Sequence, residues 1–189
     1  MSRQETGGTR ERILDTARDL FSAHTYRAAS MREIAERVGI TKPSLYHHFR
    51  SKTEILESLL AGPVDQLAAT VEDTGVEAEV VEVRHRVLRG CIDVMVTHRD
   101  VMVLLLRDAS VYGEETTQLM SRVLTIMERA TTLLAGPDPD WRGRLRAAQA
   151  LAAATDPISY FTDVPGDELR EELFRGAAMV LGLEPDTAG

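Results

Sequence analysis

The chain has 189 residues, 43% of them hydrophobic and 28% charged, with 22 Lys and Arg against 30 Asp and Glu for a net charge of −8. That is enough apolar material for a buried core, but the longest apolar run, Val101 to Leu106, falls far short of the roughly 20 residues of a membrane-spanning helix. A lone cysteine, Cys91, excludes an internal disulfide and fits a reducing cytoplasm.

In chain order, the opening MSRQETGG is polar and lacks an apolar h-region, so it reads as a loose arm and not a signal peptide. A first helix follows, with Thr9 as its cap and Ile13, Leu14, Ala17, Leu20 and Phe21 as its buried stripe. Ser30 and Glu33 form a capping box that starts a second helix, in which Met31, Ile34, Ala35 and Val38 share one face. Gly39 supplies the left-handed residue that ends it, and Ile40 pins the turn to the core. Thr41 caps a third, short helix with Pro43 in its first turn, running to about Phe49. It buries Leu45 and Phe49 and presents Lys42, Ser44, Tyr46, His47 and His48 on or near its outer surface. Ser51 and Glu54 form a second capping box, opening a fourth helix that continues to about Glu72.

Two short helices joined by a glycine-containing turn of about four residues describe a helix-turn-helix, whose second helix enters the DNA major groove. The residue types suit that task. Lys42 can donate to guanine O6 and N7, Ser44 can donate or accept, and Pro43 offers an apolar edge to a thymine methyl, while Tyr46, His47 and Lys52 suit phosphates. The charge is also unevenly spread. Residues 1–60 hold 10 Lys and Arg against 8 Asp and Glu, a balance of +2, which leaves −10 for the rest; residues 24–52 hold 6 basic against 2 acidic and three of the five histidines. A basic patch on an acidic body is an electrostatic footprint for phosphate. An ordinary pair of bundle helices with solvated charges is the bland reading of the same residues.

The helix TRERILDTARDLFSAH, the SMREIAERVGI helix and turn, the TKPSLYHHF helix and the SKTEILESLL opening of the next helix together resemble the N-terminal domain of the TetR family of transcriptional regulators. The resemblance covers roughly residues 7–67 and departs from the family at His24-Thr25-Tyr26, where a glycine usually precedes the aromatic residue. It implies an all-α fold of about nine helices, with a three-helix DNA-binding domain at 7–67 (motif about 30–49) and a helical ligand-binding and dimerisation domain at 68–189. Carried over residue by residue, it implies DNA contacts from Ser30, Arg32, Thr41, Lys42, Pro43, Ser44, Tyr46 and His47, with Lys52 on the backbone.

Beyond a break at Gly75, apolar periodicity predicts helices over 77–97, 100–112, 115–135, 139–163 and 168–182, with Asp138 and Asp167 as caps. Pro157 falls inside the fourth of these, where it either kinks the helix or ends it early. Small residues from Ala147 to Ala154 and at Gly176, Ala177 and Ala178 allow close helix approach, either at an interface or inside a single-chain core. Members of the family dimerise through their last two helices, which implies a homodimer here. The middle helices are rich in long, adaptable and aromatic side chains. Cys91, Met95, Met102, Leu106, Tyr112, Met127, Trp141 and Phe161 are the candidates to line an apolar ligand pocket, with plain core packing as the competing explanation for each.

Enzyme chemistry finds no support. His85, Cys91 and His98 do not share a helix face at i, i+4 spacing, and there is no G-x-S-x-G, phosphate-binding glycine loop or C-x-x-C, so no cofactor or metal is expected. The resulting expectation is a homodimeric, sequence-specific DNA-binding regulator, a repressor released from a palindromic double-stranded operator by a small, largely apolar effector. A constitutive DNA-binding regulator without a ligand, and a helical interaction module without DNA function, stay open at this point.

Overall fold

The computed structural model describes residues 3–72 and 79–183. Nine α-helices follow one another among these residues: α1 (Arg3–Ala23), α2 (Met31–Val38), α3 (Lys42–His48), α4 (Lys52–Glu72), α5 (Val80–Thr97), α6 (Arg99–Arg107), α7 (Thr117–Ala135), α8 (Trp141–Thr155) and α9 (Gly166–Leu181). Short 3-10 turns cover Ala109–Val111, Glu114–Thr116 and Asp156–Ser159, and the described residues contain no strand, as the all-α expectation requires. The Gly75 break and the first residues of the helix expected from 77 lie outside the described residues.

Two compact units emerge. One comprises residues 1–62 together with 100–120, the other 63–99 together with 121–189. A single cut near 67 therefore does not describe the packing: the segment holding α6 and the two following 3-10 turns returns to the N-terminal helices.

In the first unit the α1 stripe is buried at Ile13, Ala17, Leu20 and Phe21, with Leu14 only half-buried at its edge. Ile34, Ala35, Val38, Leu45, Phe49, Ile55, Leu56 and Leu60 complete this core, each large side chain contributing about 1.5–3 kcal/mol of burial. The first helix starts earlier than expected, at Arg3, so Thr9 lies inside it and is not its cap. Arg, Gln and Glu at positions 3–5 are competent helix formers, and no proline stops the helix from growing back through the two glycines.

The second unit packs α5 against α8 and α9, and α8 against α9. The Arg84 guanidinium donates to the Leu134 carbonyl at 2.7 Å and the Ala135 carbonyl at 3.0 Å, placing a cation on the otherwise unsatisfied C-terminus of α7. Arg170 of α9 reaches Asp93 Oδ1 at 3.0 Å and Thr97 Oγ1 at 2.8 Å on α5.

Several boundaries depart from the sequence expectation for local reasons. The α8 helix ends at Thr155, because Pro157 has no N–H to continue the ladder and the chain tightens into a 3-10 turn. Its cap is Asp140, whose carboxylate accepts from the Gly143 N–H at 2.8 Å, while Asp138 occupies the turn with φ of 46°. Asp167 lies in the first turn of α9, and Pro165 takes the cap position. The helix expected over 100–112 stops at Arg107, where Asp108 leaves the helix and its carboxylate accepts from the Ser110 N–H at 2.9 Å.

Candidate DNA-binding interface

The α2–turn–α3 segment is built from local signals. Ser30 sits in extended geometry and its hydroxyl accepts from the Glu33 N–H at 3.1 Å, half of the expected capping box. The Glu33 carboxylate turns toward Arg37, 3.5 Å away, and not back to the cap. Gly39 has φ of 77°, a conformation that carries a steric penalty for any residue with a Cβ, and its N–H closes the helix on the Ala35 carbonyl. Ile40 follows with its own N–H on the same carbonyl at 3.0 Å. Arg12 of α1 donates to the Val38 carbonyl, tying the end of α2 to the scaffold helix.

Thr41 then caps α3, its hydroxyl accepting from the Ser44 N–H at 3.3 Å, with Pro43 in the first turn. Leu45 and Phe49 are fully buried and fix the helix by its inner face. The Arg10 guanidinium covers the Phe49 ring at 4.6 Å. Lys42, Pro43, Tyr46 and His47 are therefore exposed together, one turn apart in pairs, while Ser44 and His48 sit half-buried on the flank. The Lys42 ammonium lies 5.8 Å from the Tyr46 ring, so these two form the upper edge of one outward surface. Ser30 and Arg32 are exposed at the start of α2. Arg32 is held by Glu36 at 2.7 Å, but a solvated i, i+4 pair of this kind is weak.

Lys52, expected on the DNA backbone, is placed otherwise. Its ammonium donates to the carbonyls of Tyr26 at 2.7 Å, Ala29 at 3.0 Å and Arg27 at 3.3 Å, and lies 4.5 Å from the Tyr26 ring. All three donors of the ammonium are then committed to protein, and partial burial lowers its pKa against the pull of Glu115 and Asp108. Glu54 likewise caps a neighbour: its N–H meets the Ser51 hydroxyl at 3.1 Å, and its carboxylate accepts from the Arg50 N–H at 2.6 Å.

The loop with the unusual His24-Thr25-Tyr26 sequence is unstrained. Neither His24 nor Thr25 has positive φ, and the Thr25 hydroxyl accepts from the Ala28 N–H at 3.2 Å, doing by side chain what a glycine would do by backbone freedom. From outside the loop, Asp108 and Ser110 accept its amide N–H groups, a contact that no local pattern in the sequence announced.

The eight expected pocket residues are divided between the two units. Met102, Leu106 and Tyr112 belong to the first unit and Cys91, Met95, Met127, Trp141 and Phe161 to the second. Cys91, Met95 and Met102 are buried core, whereas Leu106, Tyr112, Trp141 and Phe161 are exposed. Tyr112 borders an open, largely polar cavity of about 550 Å³ with Tyr26, Arg27, Lys52, Glu114 and Glu115. Phe161 borders a mainly apolar groove of about 330 Å³ with Pro157, Val164, Leu169 and Leu173. Among the described residues no group of three or more His, Cys, Asp or Glu could hold a metal, and no helix is long and apolar enough to cross a membrane.

Comparison with known proteins falls on the same surface. Residues 13–59 match the family model of bacterial regulatory proteins, tetR family. The HTH-type transcriptional repressor KstR2 of Rhodococcus jostii is 43% identical over 60 residues, 32% of this chain and 29% of that protein. The HTH-type transcriptional activator FasR of Mycolicibacterium smegmatis is 44% identical over 62 residues, 33% of this chain and 28% of that protein. The chain thus spans about a third of the length of the curated relatives it matches. Over nearly the whole fold, the crystal structure of Mycobacterium smegmatis AmtR superposes with a TM-score of 0.76 at 27% identity, covering 94% of this chain and 87% of that one.

Proposed function

We propose, from the premise that the chain belongs to the TetR family of transcriptional regulators, that it is a homodimeric repressor that reads a palindromic operator with α3. The observation that carries this reading is the outward surface of Lys42, Pro43, Tyr46 and His47, held by a capped helix whose inner residues Leu45 and Phe49 are fully buried. A side chain on a rigid helix reaches a base edge at low entropic cost. Lys42 and Ser44 are assigned to bases, and Ser30, Arg32, Thr41, Tyr46 and His47 to the sugar-phosphate backbone, with Pro43 against a thymine methyl. Lys52 is reassigned from phosphate to the support of the loop.

The dimer reading is supported by α8, which exposes Trp141, Leu145, Ala148 and Ala152 along one side, and by α9, which exposes Gly176 and Met179. Single scattered apolar residues need no explanation, but a stripe at helical spacing fits a partner helix. A two-fold dimer doubles the few base pairs that one helix-turn-helix can read. Effector relief is the remaining part: a small, largely apolar molecule that prefers the conformation with misplaced reading helices lowers operator affinity by population shift.

The test is base preference. Lys42→Ala should alter which duplexes are selected from a random pool, whereas a change that weakens selected and random duplexes equally would remove Lys42 from base reading. Linkage requires saturating operator DNA to loosen the effector by the same factor that the effector loosens DNA, and an unchanged effector affinity would refute the allosteric part.

A further inference from the structure

Residues 26 and 27, in the loop that leads into α2, are gripped from both sides. On one side the Lys52 ammonium takes the carbonyl oxygens of Tyr26, Arg27 and Ala29. On the other, the Tyr26 N–H donates to Asp108 Oδ2, and the Arg27 N–H donates to the Ser110 hydroxyl oxygen at 3.0 Å. Ser110 is itself fixed by Asp108, whose Oδ1 accepts from its hydroxyl at 2.6 Å and from its N–H at 2.9 Å. The Tyr26–Arg27 peptide group thus has its N–H directed at a hydroxyl held by the Asp108 carboxylate and its C=O directed at the Lys52 ammonium, while the N–H of the preceding peptide group is directed at the carboxylate itself. Both charges are aligned with the peptide dipoles, the favourable sense for a charge-assisted hydrogen bond.

We infer that Asp108 is a positioning residue for DNA recognition, acting through the loop that it and Lys52 clamp ahead of the Ser30 cap. Asp108 stands 82 residues from Tyr26 in sequence and outside residues 13–59, the segment that the family match covers. The clamp bears directly on the reading head. Tyr26 and Ala29 are buried, Tyr26 packs edge-on to Phe21 of the scaffold helix at 5.3 Å, and the residue after Ala29 is the cap of α2. The hydroxyl of Tyr26 extends the same network to Thr53 at 3.1 Å, and Thr53 reaches Glu115 at 3.3 Å. Without the Asp108 carboxylate, the Tyr26 N–H loses its acceptor and Ser110 loses the group that aims its hydroxyl at Arg27. The loop then samples other conformations, and with it the first turn of α2 carrying Ser30 and Arg32. This inference rests on the DNA-binding reading above.

The experiment uses the full chain and a duplex that the wild-type protein selects from a random-sequence pool. Asp108→Ala should weaken that duplex about tenfold, the equivalent of one lost charge-assisted hydrogen bond. Amide hydrogen exchange at residues 26 and 27 should accelerate in the same variant without DNA. Ser110→Ala, a milder change that leaves Asp108 in place, should accelerate exchange at Arg27 more than at Tyr26. Wild-type affinity together with wild-type protection in Asp108→Ala would overturn the inference. So would a gain in affinity, which would mark Asp108 as a like charge repelled by DNA. If the wild-type chain selects no duplex at all, the DNA-binding reading fails, and the exchange measurement still decides whether the clamp exists.

Discussion

Placing a methyl group on Gly90 tests the packing of α5 directly. A Cβ there would stand 2.4 Å from Thr70 Cγ2 and 2.9 Å from Thr70 Oγ1 on α4. Carbon pairs are comfortable at about 3.5–4.0 Å, so something must move by roughly 1 Å. Thr70 is β-branched and its hydroxyl donates to the Gln66 carbonyl at 3.0 Å, which resists a simple rotation out of the way. Overpacking of this kind costs about 1–3 kcal/mol, against about 0.8–1 kcal/mol regained from the better helix propensity of Ala, so Gly90→Ala should lose on the order of 1 kcal/mol net. Adding Thr70→Ala removes the two close atoms and leaves only the Thr70 Cβ position, at 3.3 Å. The double variant should therefore recover the loss, with a coupling of about 1–2 kcal/mol in a double-mutant cycle. Urea unfolding of the four proteins at one fixed concentration measures it. A Gly90→Ala protein as stable as the wild type, or a cycle additive to within about 0.5 kcal/mol, would show that the two helices do not meet at this point.

Three further outcomes are expected. Thr41→Ala should lose about 1 kcal/mol of stability in urea through the missing cap of α3, and Thr41→Ser should restore it; equal losses in both would assign the effect to something other than the hydroxyl. Burial pushes the Cys91 thiol up to about 12 from its ordinary value near 9. Because the folded pKa is the higher one, this contribution is complete below pH 9 and is lost as the pH rises from 9 toward 12. Wild type should accordingly lose stability relative to Cys91→Ala over that range, by up to about 1.4 kcal/mol per pH unit, and parallel profiles would contradict a buried thiol. Trp141→Glu with Leu145→Glu should convert a sedimenting dimer into a monomer that retains its helical circular dichroism, and an undisturbed dimer would remove this face of α8 from the interface.

What the sequence disclosed was whatever is decided within a few residues. Ser30, Gly39, Thr41 and Pro43 announce the two helices and the turn because capping and left-handed geometry are local chemistry, and Leu45 and Phe49 follow from the helical period. The role of Lys52 was not legible, since a lysine beside a reading helix looks the same in sequence whether it faces phosphate or the carbonyls of a loop 23 to 26 residues earlier. Asp108 was further out of reach: its partner amide is 82 residues away, and the return of residues 100–120 to the N-terminal helices leaves no periodic trace. Asp138 and Asp140 are equally good caps by type, and the choice fell to the positive φ at Asp138 that turns the chain. Adaptable side chains such as Met95 and Met102 fit a pocket lining or plain packing equally well by composition, and both are buried in the structure.

The central claim, that α3 reads DNA sequence, is tested most directly by the salt dependence of binding of the full chain to its selected duplex and to a scrambled duplex of the same length. Expected are a steep negative slope of log K against log salt on both, an affinity for the selected duplex at least about a thousandfold higher, and selected sites that form inverted repeats. Equal affinity for the two duplexes, or binding that ignores salt, would contradict it.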